Sequence, residues 1–143
     1  MLEKFEAARS GSKRALAEQI CNELKIHATI EEEIFYPALK DKIEEDTLNE
    51  AYVEHDGAKL LINDIMSSAD DEMLDAKVKV LSEEIKHHVG EEEMPKEGMF
   101  AQAREAGVDL VALRDALMAR KEELMQTLEA QGLPPAEMVV LQA

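Results

Sequence analysis

Two apolar stripes, each running into an imidazole and a carboxylate, limit most strongly what this chain can fold into. Leu16, Ile20, Leu24, His27, Glu31 and Ile34 advance by 4, 4, 3, 4 and 3 positions; Leu74, Val78, Leu81, Ile85, His88 and Glu92 advance by 4, 3, 4, 3 and 4. Steps of three and four stay on one side of an α-helix, which turns once in ~3.6 residues. Both stripes therefore describe helices that bury one face and carry a histidine and a glutamate in core positions. A carboxylate buried without a partner costs on the order of several kcal/mol. Something must compensate Glu31 and Glu92, and a cation shared by an imidazole and a carboxylate one turn apart is the simplest candidate.

Spacing alone is weak evidence here. Of 143 residues 23 are Glu, so a histidine has roughly a one-in-six chance of a glutamate four places on. His87 has one too, Glu91. Phase separates the two neighbours: Ile85 and Leu81 precede His88 by three and seven places, whereas Glu84 and Val80 precede His87. His88 is expected inside. His55 joins it from a third helix, on which Leu48, Tyr52, His55, Ala58, Ile62 and Met66 should face inward. Candidate metal ligands are thus His27, Glu31, His55, His88 and Glu92, with His87, Glu91 and Tyr52 as subsidiary candidates. Glu32 and Glu122 fall outside the seams and are expected to be solvated.

The helix boundaries follow from punctuation. Met1 to Arg9 reads as a short helix stopped at Ser10-Gly11-Ser12, and a second helix runs from Ser12 to about Lys40, kinked or frayed where Pro37 lacks its amide. After a loop over 41–46, Thr47-Leu48-Asn49-Glu50 has the form of a capping box, opening a helix that reaches about Met66. The fourth helix should begin near Asp70, weaken at Gly90, Pro95 and Gly98, and resume as far as Ala106. Gly107 and Asp109 stop one helix and cap the next, whose seam is Leu110, Leu113, Leu117, Leu124 and Leu128. Residues 1–131 form one domain. The tail, 132–143, has no evident role.

Composition supports an all-α chain. Apolar residues make up 45 % but aromatics only 3 %, so the core is aliphatic and strand-favouring clusters are missing. A net charge of −16 repels phosphate backbones and anionic headgroups, which argues against nucleic acid and membrane partners. With one cysteine, Cys21, and no apolar leader in MLEKFEAARS, a cytoplasmic setting is expected.

The run His27-x-x-x-Glu31-Glu32 followed by Phe35-Tyr36-Pro37, then Glu54-His55, then His87-His88-Val89-x-Glu91-Glu92-Glu93 resembles the hemerythrin-like (HHE cation-binding) domain family. The resemblance implies an up-down four-helix bundle around a non-haem di-iron centre, here with a truncated first helix and an additional C-terminal helix. It further implies that Glu31 and Glu92 bridge two irons, that His27 serves one, and that His55 and His88 serve the other. The family's further first-helix histidine has no counterpart in this sequence. An incomplete second iron position is expected, together with an apolar slot that a homodimer would cover.

The expected function is binding of dioxygen or a similar small ligand, or sensing of iron or oxidants, ahead of catalysis. Two other classes compete with it. A metal-free acidic module would need a protein partner for each buried histidine. A ferritin-like di-iron oxidase would need two Glu-x-x-His motifs, and only Glu84-Ile85-Lys86-His87 fits.

Overall fold

A computed structural model describes Phe5 and residues 10–67, 72–95 and 97–142. Helix α1 spans Ser10–Ile30, passes through a π-helical turn over Glu31–Phe35 and ends as the short α2, Tyr36–Leu39. Then follow α3 (Glu45–Ser67), α4 (Leu74–Glu92), α5 (Met99–Glu105) and α6 (Leu110–Gln131). No described residue lies in a strand, and no described helix is long and apolar enough to cross a membrane. The stub expected over Met1 to Arg9, with the slot and dimer contact argued from it, lies outside the described residues except for Phe5.

The connection from Leu39 to Glu45 is short, so α3 returns antiparallel to α1. Arg14 near the start of α1 donates to the carbonyl of Met66 near the end of α3, while Tyr36 stacks edge-on against Tyr52 near its start. Helix α4 reverses again, since Asp64 pairs with Lys77 and His55 meets His88. Between these helices lies one aliphatic core of Phe5, Ala17, Ile20, Cys21, Ala58, Ile62, Ile65, Leu74, Val78 and Leu81. A second, more aromatic core (Phe35, Tyr36, Leu39, Leu48, Ala51, Met99, Ala103) closes the far end under α5. The buried His and Glu residues sit between the two.

Helix α6 packs outside, along α1 and the π turn. Its contact is thin: Leu124 is buried with Ile26 and Ile30, Leu117 and Leu128 are partly covered, and Val111 and Met118 face solvent. As expected from sequence, Asp109 caps this helix, its Oδ1 accepting from the amide of Ala112 at 3.0 Å, and Gly132 ends it with φ +79°.

Several boundaries differ from expectation. Ser10 and Gly11 lie inside α1, the cost of a helical glycine being only about 1 kcal/mol, small against a packed face. Thr47 does not cap α3, which begins two residues earlier. The amide of Glu44 instead donates to Gln102 Oε1 at 2.9 Å, and Gln102 Nε2 donates to Thr47 Oγ1 at 3.2 Å, so α5 supplies the cap. Gly90 continues α4 without a break, and the interruption comes at 93–98. There Gly98 packs so closely that a Cβ would lie 2.5 Å from the carbonyl oxygen of Met94. The irregularity expected at Pro37 takes the form of a π turn over Glu31–Phe35, just before it. The amide of Tyr36 reaches back five residues to the carbonyl of Glu31, and Pro37 follows at the start of α2, where a missing N–H is tolerated. On α3, Tyr52 and Met66 are only partly covered, whereas Ala51, Asp56, Lys59 and Ile65 are buried. The cover for Asp56 and Lys59 is the tail, which is ordered against α3.

Candidate metal centre

Four side chains from three segments meet at the middle of the bundle: Glu31 at the start of the π turn, His55 on α3, and His88 and Glu92 on α4. All four are buried, at 3–5 % exposure, and one ligand atom from each lies within 4.8 Å of the others. His55 Nε2 is 3.2 Å from Glu31 Oε1 and 3.1 Å from His88 Nε2, and His88 Nε2 contacts Glu92 Oε1. As helical phase predicts, His88 points inward while His87 is exposed on the surface.

The imidazoles are held from behind. His55 Nδ1 donates to Glu32 Oε2 at 2.8 Å and His88 Nδ1 to Glu54 Oε1 at 2.9 Å, which turns both Nε2 atoms towards the centre. Carboxylates in this position orient metal-ligating histidines and raise their basicity. Glu32 is thus not the solvated residue that its position off the seam suggests. Its second oxygen accepts from Lys59 at 2.7 Å.

Tyr36 was missed as a member of the site. Its hydroxyl lies 3.0 Å from His55 Nε2 and 3.1 Å from His88 Nε2, and it donates to Glu92 Oε1 at 3.3 Å. In an α-helix a residue five places after Glu31 would stand about 140° away around the axis. The π turn closes on the fifth residue and brings Tyr36 onto the face of Glu31. The signal was present in Phe35-Tyr36-Pro37, but an α-helical period hides it. Tyr52, a subsidiary candidate, packs edge-on against the ring of Tyr36 and on the second core, and is not among the four clustered ligands.

His27 lies beside the four-residue cluster and not within it. Its Nε2 pairs with Glu31 Oε1 at 2.7 Å although 43 % of the side chain is exposed. His87 and Glu91 do not reach the buried cluster. They form a surface group with Glu54, in which His87 Nε2 is 3.0 Å from Glu91. Glu84 is exposed as well, so the Glu-x-x-His match faces water.

Charges in the centre are strongly coupled. Burial favours neutral carboxyls, yet hydrogen bonds and charge from His27 and His55 hold the Glu31 pKa well below the carboxylate range. Glu92 moves the other way, raised by burial and by the charge of Glu31. Two carboxylates sharing a site are expected to split in this manner. Burial opposes charge on His88, but bonds to Glu92 and Glu54 outweigh it and push its pKa up to about 9. His55 is also raised, burial being outweighed by Glu31 and Glu32. Burial, with Glu31 and Glu92 nearby, keeps Tyr36 protonated. The donor set fits a cation. Two imidazole nitrogens and two carboxylates converge in the buried middle of the bundle, a mixed nitrogen and oxygen donor set of the kind that holds first-row divalent metals.

Fold and site together define a helical bundle whose buried His and Glu residues can hold a metal ion. The chain belongs to the hemerythrin HHE cation-binding domain family, whose profile matches residues 1–103. No curated protein and no solved structure gives a significant match.

Proposed function

We propose that this protein is a non-haem iron protein of hemerythrin type that binds dioxygen or a similar small ligand, or senses iron or oxidants. The observation that carries this reading is the buried quartet Glu31, His55, His88 and Glu92, with both Nε2 atoms turned inward. Imidazole with carboxylate suits iron in either oxidation state. Iron held there supplies a one-electron couple and a coordination position for the ligand. The chain's own residues do the rest: Glu32 and Glu54 orient the imidazoles, the Tyr36 hydroxyl donates a hydrogen bond to Glu92, and the two cores hold the helices on either side of the centre.

A cavity of about 860 Å³ supports the cation. Glu44, Glu50, Glu54, Glu91 and Glu97 line it, and its inner wall includes His88 and Glu92. Such a carboxylate-lined mouth concentrates cations and repels anions. The metal-free module fits less well. His55 and His88 have protein partners, as it requires, but it leaves two buried carboxylates, Glu31 and Glu92, close together with no cation between them.

Anaerobic titration with Fe(II), followed by an optical spectrum after admitting oxygen, tests the reading. Tight binding is expected in the wild type and in His27→Ala, and its loss in the double variant His55→Ala/His88→Ala. A freshly purified protein that takes up no iron, or a double variant that binds as well as wild type, would overturn it.

A further inference from the structure

The tail beyond α6 is held by a dense set of polar contacts, and they converge behind His55. Asp56 is fully buried, and its carboxylate accepts from three successive backbone amides: Val139 at 2.9 Å, Val140 at 2.6 Å and Leu141 at 2.8 Å. Lys59, 5 % exposed, spends all three ammonium hydrogens, donating to the carbonyl of Glu137 at 2.9 Å, to Glu32 Oε1 at 2.7 Å and to Asp56 Oδ1 at 3.4 Å. Asn63 forms a reciprocal pair with the backbone of Ala136, at 2.8 and 2.9 Å. Every group in this chain of contacts has its partner. Burial alone would raise the Asp56 carboxyl, but the three amides and Lys59 hold it below its usual value.

The path to the centre is short. The tail fixes Lys59, Lys59 fixes one oxygen of Glu32, and the other oxygen of Glu32 holds His55 Nδ1 at 2.8 Å. A cavity of about 460 Å³ lies under the tail, lined by Glu32 and Lys59 from the bundle and by residues 133–139 as its outer wall. The tail therefore separates these two groups from open water. None of it lies within the residues that match the family profile, which end at 103.

We propose that residues 136–141 are a strap that sets the metal affinity of the centre by locking Lys59 and Glu32 behind His55, with Lys59 as the positioning residue. The proposal rests on the cation-binding reading above. Removing the partner behind a ligating histidine commonly weakens metal binding about 10- to 100-fold. Loosening the strap acts on the same partner at one remove. Coupling between two sites is reciprocal, so metal binding must in turn tighten the strap.

Two measurements on the whole 143-residue chain test this: Co(II) affinity, and hydrogen exchange of the 139–141 amides. Asp56→Asn should speed exchange of those amides and weaken Co(II) binding about tenfold while thermal unfolding stays cooperative. Lys59→Met should weaken Co(II) similarly, Lys59→Arg should recover most of the loss, and Co(II) should slow exchange of the strap in the wild type. Should Asp56→Asn fail to fold, Asn63→Ala carries the same comparison, because it loosens the strap without touching Lys59 or Glu32. Faster strap exchange with Co(II) affinity within twofold of wild type would overturn the strap and leave the cation reading standing. A Lys59→Arg variant no better than Lys59→Met would remove Lys59 from the path and overturn the proposal. A wild type that binds no Co(II) would overturn the cation reading, and the proposal with it.

Discussion

A single residue's environment here is set by its helical phase and by what lies across from it, and only the first can be read along the chain. His88 was separable from His87 by the apolar residues three and seven places earlier. Glu32 was not legible, because its partners His55 and Lys59 are 23 and 27 positions away. Glu32→Ala should therefore cost about 1–3 kcal/mol by leaving buried donors unpaired, whereas Glu122→Ala, at an exposed position of α6, should stay within about 0.5 kcal/mol. Chemical denaturation of both variants checks the contrast. Cys21 is fully buried, and burial pushes its pKa up to about 11. At pH 8 its alkylation should be about two orders of magnitude slower in the folded protein than in urea, given an ordinary thiol pKa of ~8.5. The unfolded chain loses this proton first, so the thiol's contribution lowers stability as pH rises from about 8.5 towards 11.

At the level of the element, the long helices announced themselves through their stripes, and α1, α3 and α4 fall within a few residues of where the periodicity puts them. Their ends did not, because the groups that finish them come from elsewhere. Gln102 caps α3 from across the bundle, so Thr47 does not behave as its local sequence suggests, and the irregularity at Pro37 is a π turn that its local sequence does not specify. Asp109 is the exception, since its cap is made within its own helix. Asp109→Ala should cost about 0.5–2 kcal/mol, read as a lower denaturation midpoint. Gly98→Ala should cost about 1–3 kcal/mol, as overpacking does, because the added Cβ meets backbone and not a movable side chain. Equal stability of Gly98→Ala and wild type would mean that α5 can dock in another way.

For the whole molecule, the seams gave the right architecture and an uneven account of burial. Leu81 is fully buried, and Leu81→Ala should cost about 2–5 kcal/mol. Leu24 shares the seam but is only partly covered, so Leu24→Ala should cost less, a ranking that paired urea titrations would test. The tail was invisible to periodicity because it binds through backbone amides, which every sequence has, and the residues that recruit them, Asp56 and Lys59, lie off the apolar seam of α3. Those contacts span 78 to 85 positions, which bears on the order of events as the chain is made. Translation delivers about 5–20 residues per second, and segments fold as they emerge. Asp56 and Lys59 thus leave the ribosome several seconds before the amides that satisfy them. During that interval Lys59 can already pair with Glu32 and Asp56, but Asp56 waits for its three amide donors, so the groups behind the imidazole centre are fully satisfied only after α6 and the segment beyond it have been synthesised.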